Sequence, residues 1–331
     1  MKITTCLMVT LAVTAVAAVL LWPLDRTSFA VDTLEVEDEI SVVLEGCRNA
    51  AESVQSGKGQ VTVYSRNFSE DGSVSESDAT NTVAFSGNKF KTETTSKLLK
   101  NVRWTPLPTG TALVAPGTVR TEKVAYDGEK AVWYLLDTNQ AFRGDESTNA
   151  GRHAFSNYMH VKVVNYVLMD IGNFGNIGPG VSREPPRIVG REVLNGSECI
   201  VVEVLDYGPT KSGGTSQNWF RFWVDPQKGF TVPQVQVWAQ GGPYQEKTLL
   251  VDLEADVRQY TDSLWGPAKV TMSGYAMGRE TGEYYKRYEI VTTYASDLQI
   301  NVPISEEELT LTLPSGTKVT DELLEETYTV P

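Results

Sequence analysis

Apolar and polar residues alternate with a period of two along most of this chain. The pattern is clearest at 249–258, where Leu249, Val251, Leu253, Ala255 and Val257 fall between Asp252, Glu254, Asp256 and Arg258. Successive side chains of a strand point to opposite faces, so this segment predicts a strand with one dry face and one wet face. Asn218 to Trp238 predicts a hairpin: two runs rich in aromatic and β-branched residues flank Asp225-Pro226-Gln227-Lys228-Gly229, a connector with proline's fixed φ and a glycine free to take positive φ. In the first run Phe220, Phe222 and Val224 alternate with Trp219, Arg221 and Trp223. In the second, Val235 and Val237 alternate with Gln234 and Gln236.

The same reading predicts strands at 60–68, 80–86, 89–95, 119–126, 129–136, 187–194, 197–205, 268–276 and 284–294. Glu70-Asp71-Gly72, Gly87-Asn88, Asp127-Gly128 and Asn195-Gly196 supply turns. Residues 99–117, with three prolines, read as an excursion between hairpins. Two segments change period. From 33 to 56, Val36, Ile40, Val43, Leu44, Cys47, Ala50, Ala51 and Val54 recur at three- and four-residue steps, with Asp32 and Glu35 as capping residues and Gly57 as a stop. From 149 to 171, Phe155, Met159, Val163, Tyr166 and Val167 do the same, and the glycine-rich loop Gly172–Gly180 follows. About a dozen antiparallel strands cannot easily stay flat and open. The fold class is therefore α+β, mainly β: a large curled antiparallel sheet with the helices packed on its concave face.

The N-terminus adds a compartment. Lys2, an uncharged run from Ile3 to Trp22, Pro23, and small residues at Ser28 and Ala30 make residues 1–30 a secretory signal peptide or, since the run is about the ~20 residues a span needs, an N-terminal membrane anchor. Either reading exports the body, which divides into a sheet domain at 31–304 and an acidic C-terminal tail at 305–331. A net charge of −13 with no Lys/Arg cluster argues against nucleic acid and anionic lipid surfaces as partners. Beyond Cys6, the chain has Cys47 and Cys199, either one disulfide or two separate buried thiols.

Three stretches carry a resemblance. Tyr126-Asp127-Gly128-Glu129-Lys130-Ala131-Val132-Trp133-Tyr134, then Val193-Leu194-Asn195-Gly196-Ser197-Glu198-Cys199-Ile200-Val201-Val202, then Phe222-Trp223-Val224-Asp225-Pro226 resemble, in this order, the hairpins and strand end of the LolA/LolB-type lipoprotein-carrier superfamily of bacterial envelopes. The resemblance runs from Leu34 to Asp297. It implies a half-open barrel with helices plugging the concave face, a cavity for acyl chains, and a periplasmic location or one on the outer face of the inner membrane.

Catalytic motifs are scarce. His153 and His160, seven apart on the second helix, lack metal-site spacing, no Gly-x-Ser-x-Gly occurs, and the glycine-rich loop follows a helix instead of opening one. No cofactor or metal is implied. Asp252, Glu254 and Asp256 share one strand face, the spacing of a solvated surface. What remains is apolar: in the register above, Trp133, Phe220, Phe222, Leu249, Val251, Leu253, Tyr288, Ile290 and Tyr294 face inward as the wall of a ligand cavity. The leading expectation is a non-enzymatic exported protein that binds a lipid, a lipoprotein acyl chain or another apolar ligand. The alternatives are an envelope scaffold or sensor that binds proteins, and a hydrolase whose carboxylates converge in space.

Overall fold

A computed structural model describes residues 36–101, 103–107, 110–154, 182–209, 215–278 and 280–331. The expected fold class is the observed one: mainly β with few helices, built on a large sheet that does not close. Residues 1–30, the second helix from 155 onward, His160 and the glycine-rich loop lie outside the described residues.

The first elements in chain order are α1 (Val36–Glu52), β1 (Ser56–Phe68), β2 (Val74–Ser86), β3 (Lys89–Lys100), β4 (Arg103–Leu107), β5 (Gly110–Val114), β6 (Val119–Tyr126), β7 (Ala131–Leu135) and β8 (Gln140–Gly144). A helical segment at 149–154 precedes β9 (Ser182–Arg183), β10 (Arg187–Leu194), β11 (Ser197–Pro209), β12 (Thr215–Asp225), β13 (Thr231–Gly241) and β14 (Tyr244–Thr261). The chain closes with β15 (Leu264–Met277), β16 (Tyr284–Tyr294), β17 (Gln299–Ile300), the one-turn α2 (Glu306–Leu309), β18 (Lys318–Asp321) and β19 (Glu326–Thr329). The protein divides into two compact units, one of Met1–Ser53 with Val164–Gly266, the other of Val54–Val163 with Pro267–Pro331.

In the first unit β11, β12, β13 and β14 form an antiparallel meander, and β9 and β10 share the free edge of β11. The β10–β11 turn is the expected Asn-Gly pair, both residues at positive φ (50° and 80°), which matches the twist of the flanking strands. The β12–β13 connector is longer. Asp225 Oδ1 accepts from the backbone N–H groups of Gln227 (3.0 Å) and Lys228 (3.2 Å), capping a single turn with Pro226 at its start. Gly229 and Phe230 then both take left-handed φ, 64° and 59°. That conformation costs a phenylalanine free energy, and contacts to α1 offset it. The Phe230 ring lies where a Cβ on Gly46 would come within 2.4 Å, and the Phe230 carbonyl accepts from Cys47 Sγ at 3.7 Å.

Helix α1 is shorter than its apolar spacing predicts. It ends at Glu52, so Val54 and Ser56 leave the helix and Ser56 opens β1. Gly57 is no stop signal: it is a strand residue whose missing side chain makes room for the Phe85 ring, which a Cβ at this position would meet at 2.7 Å.

In the second unit the strands lie in the order β15, β16, β1, β2, β3, β6, β7, β8, β18, β19, and β17 pairs with the first residues of β1. The expected strand at 284–294 coincides with β16, and the excursion at 99–117 holds the separate ribbon β4–β5. The Asp127-Gly128 turn is not the two-residue turn that the dipeptide suggests. Tyr126 pairs with Ala131, and Asp127 Oδ1 accepts from the N–H groups of Glu129 (2.9 Å) and Lys130 (2.7 Å) across a four-residue loop.

Residues 305–331, read from sequence as an acidic tail, return to the sheet. Ser305 and Glu308 form a reciprocal capping box on α2. Lys58 Nζ meets Glu308 at 2.7 Å and Lys89 Nζ meets Glu306 at 2.8 Å. Strand β18 then pairs parallel to β8, and β19 folds back on β18. Val319 is buried against Tyr134 and Ala141, with Leu136, Leu311, Leu313 and Val330 packed around them.

These contacts set two expected outcomes. Gly46→Ala drives a methyl group into the Phe230 ring, and overpacking of this kind costs about 1–3 kcal/mol; urea denaturation of the variant is expected to show that loss, and an unchanged midpoint would mean that the helix is not docked there. Hydrogen bonds from Lys58 and Ser305 hold the Glu308 carboxyl down to about 2, against 4.5 for a free glutamate. A depressed folded pKa contributes stability that is complete above the free value and is lost as pH falls through the folded one. Hydrogen exchange at residues 305–310, corrected for intrinsic rates, is therefore expected to accelerate between pH 4.5 and 2 in the wild type and to lose most of that pH dependence in Glu308→Gln.

Candidate functional site

The residues expected to wall one cavity divide between the two units. Phe220, Phe222, Leu249, Val251 and Leu253 belong to the first, and Trp133, Tyr288, Ile290 and Tyr294 to the second. In the first unit the register brings four of the five together: Val202, Phe222, Val235 and Leu253 form one cross-strand row, and Val204, Phe220, Val237 and Val251 the next. The first row is fully buried, while Phe220, Val237 and Val251 are half-buried. Leu249 departs from the expectation. A register shift between Val237 and Trp238 sets it opposite Trp238, so it leaves the face that Val251 and Leu253 share.

In the second unit, pairing through β1, β2, β3, β6 and β7 places Tyr288, Ile290, Tyr294 and Trp133 on one face of the sheet. Tyr288 lies over Gly274, whose absent side chain gives the ring its place, and burial pushes the Tyr288 phenol up. Trp133 is buried. Its Nε1 donates to Glu122 Oε2 at 2.9 Å, its ring stacks on His153 at 3.5 Å between centroids, and Phe142 lies 5.7 Å away. The His153 Nε2 sits 3.1 Å from the same Glu122 oxygen. His153, a candidate metal ligand by residue type, stacks on Trp133 and shares a hydrogen bond with Glu122, and among the described residues no group of three metal-ligating side chains occurs.

A half-open space lies on the opposite face of that sheet. Ala125, Val132 and Arg143 form a cross-strand row on β6, β7 and β8, and the C-terminal segment crosses in front of it. Between them is a cavity of about 410 Å³, lined by apolar groups including Leu309, Leu311, Leu313, Val319 and Val330, and by Lys89, Lys130, Arg143, Asp127 and Glu306. Burial pushes the Asp127 carboxyl up, but the N–H groups of Lys130 and Glu129 and the charge of Arg143 outweigh it and hold it below its ordinary range. Arg143 Nε is buried with no hydrogen-bond partner among the described residues. None of the cavity's residues was among the expected wall. The signal was present in Leu309, Leu311 and Leu313, which alternate with Thr310 and Thr312, and in Val319, the buried apolar member of β18.

A polar row in the first unit was also missed. Arg187, Glu203, Arg221, Gln236 and Asp252 stand opposite one another on β10 to β14. The buried Glu203 carboxylate meets Arg187 at 2.9 Å, Arg221 at 3.0 Å and Lys247 at 4.0 Å. Burial raises it, and these partners more than reverse the effect. Lys247 also lies over the Trp219 ring, 4.4 Å from its centroid. Asp252 accepts from Gln236 and Gln234, while Glu254 and Asp256 are exposed. These three acids are therefore a hydrogen-bonded row end and a wet strand face. Cys47 and Cys199 are both buried thiols in no disulfide, the second of the two alternatives left by the sequence, and burial pushes Cys199 to about 11.

No family model matches the chain, and no curated protein matches it. Among solved structures, a DUF1329 family protein from Desulfovibrio piger is similar at 10% identity and a TM-score of 0.39, over 82% of this chain and 97% of that one. An uncharacterized conserved protein from Thermus thermophilus is similar at 9% identity and a TM-score of 0.28, over 86% and 99%. The Mycobacterium tuberculosis lipoprotein LppX is similar at 10% identity and a TM-score of 0.24, over 80% and 98%. At these TM-scores the likenesses carry no argument about what the chain does.

Proposed function

We propose that this is a non-enzymatic, exported protein that sequesters a small apolar or amphiphilic molecule in the cavity between β6–β8 and the C-terminal segment. The observation that carries the reading is the space itself. Its volume, about 410 Å³, falls within the range of small-molecule sites, and half of its lining residues are aliphatic, with charged groups among the rest. The mechanism is burial. A ten-carbon chain that removes about eight methylenes from water gains about 6 kcal/mol at about 0.8 kcal/mol each, before the cost of association. No bond is made or broken, and the ligand leaves as it entered.

The covering segment suits such a role. It is held by the cap at Ser305, two lysine–carboxylate pairs and the parallel strand β18, and it lies against the cavity through side chains alone at Leu309, Leu311 and Leu313. Native mass spectrometry of the full chain, purified from its envelope, together with titration of a fluorescent fatty acid, tests the reading. A bound amphiphile and saturable binding are expected, and Val132→Phe, which fills part of the space, is expected to weaken binding at least tenfold. A protein that carries no lipid and binds no probe would be read instead as a scaffold.

A further inference from the structure

We infer that the molecule held in this cavity carries an anionic head, a carboxylate or phosphate, which the Arg143 guanidinium binds. The inference rests on the cavity being a ligand site at all, and it adds the chemical class of the ligand. Arg143 lies on β8 opposite Val132, with Asp321 of β18 on its other side, and it lines the cavity together with aliphatic groups. Its Nε is buried and unpartnered, and no ion pair joins the guanidinium to a carboxylate among the described residues. A buried Nε is normally satisfied, because burying a donor without a partner is costly.

The acids around it turn oxygens to other donors, and of these the Asp127 carboxyl also feels the Arg143 charge. Asp127 Oδ1 caps Glu129 and Lys130. Asp321 Oδ1 accepts from the N–H groups of Leu323 (3.0 Å) and Leu324 (3.1 Å). Glu322 accepts from Asn149 and from the N–H of Ala150. Glu306 is paired with Lys89 at 2.8 Å. The lining thus holds Lys89, Lys130 and Arg143 against Asp127 and Glu306, an excess of positive charge inside a chain whose net charge is −13. A protein so acidic repels free anions from its surface. A guanidinium fork facing an apolar pocket reverses that locally, and its planar donors match a carboxylate or phosphate two at a time. The volume sets the other end of the molecule: about 410 Å³ is near the lower limit for such sites and suits one short chain, not a two-chain lipid.

The test is isothermal titration of the full chain with decanoate, decyl phosphate and decan-1-ol, which share an alkyl tail and differ in the head. The wild type is expected to bind at least one anion tenfold or more tighter than the alcohol, and the better of the two identifies the head. Arg143→Gln is expected to bring the anions to the level of the alcohol while leaving the alcohol unchanged, and Arg143→Lys to recover part of the difference. Equal binding of all three by the wild type overturns the head-group assignment and leaves the amphiphile reading standing. Binding of none of them overturns that reading itself, and anion binding that Val132→Phe does not weaken places the ligand outside this cavity. If Arg143→Gln does not fold, the three wild-type affinities and their salt dependence decide alone, since a charge-borne preference shrinks as salt rises.

Discussion

Strand register governs what every site in this protein can be. A shift of one residue moves a whole set of side chains to the other face, and in the second unit that single constraint separates two environments. Thr92, Val124, Trp133 and Phe142 follow one another across β3, β6, β7 and β8 on one face. Lys91, Ala125, Val132 and Arg143 follow one another on the other. The first row is closed core, with Trp133 fixed by Glu122 and His153. The second is closed only by the C-terminal segment, which arrives from far along the chain and leaves space beneath it. The cavity therefore exists because β18 adds to the edge of β8 with Val319 beside Ala141, a register that buries one aliphatic cluster and stops short of covering Val132 and Arg143.

How that segment is attached decides what it can do. Along β18 it is held by backbone pairing, which is insensitive to side-chain chemistry. At α2 it is held by exposed charge pairs and a cap, and exposed ion pairs contribute little individually. Leu309, Leu311 and Leu313 lie between these two anchors, over the cavity. The segment thus has one end held by pairing and one held by side chains, so opening at α2 would cost Lys58–Glu308, Lys89–Glu306 and the burial of Leu309 and leave the β18–β8 pairing intact. Local opening of this kind needs far less free energy than unfolding the unit.

Much of the fold was legible because alternation is a local signal. The strand at 284–294, the Asn195-Gly196 turn and the hairpin around Asp225-Pro226 all follow from residues within a few positions of one another. The errors are non-local. Gly57 reads as a helix stop until Phe85, on the neighbouring strand, claims its space. Leu249 reads as one more member of an apolar face until the shift at Val237 sets it against Trp238. The C-terminal segment reads as a tail because its charge outweighs Leu309, Leu311 and Leu313 in composition, and a parallel pairing to β8 leaves no turn signal between the partners. The candidate site was illegible for the same reason: Ala125, Val132, Arg143 and Val319 meet only through strand order.

The contrast between Arg143 and Arg221 shows why residue type alone could not locate the site. Both are arginines on central strands with a buried Nε that lacks a partner. Arg221 donates through another guanidinium nitrogen to Glu203, a carboxylate it shares with Arg187 and Lys247, so the charge it brings is already answered within the meander. Arg143 faces Asp127 and Asp321, each of which turns its Oδ1 to backbone N–H groups, and its charge acts on the Asp127 carboxyl without a hydrogen bond between them among the described residues. A buried pair whose partners are both present is a structural element, whereas a buried donor without a partner costs free energy until something supplies an acceptor. The same side chain is thus scaffold in one unit, while in the other it carries to the edge of an aliphatic space a buried Nε that has no hydrogen-bond partner among the described residues.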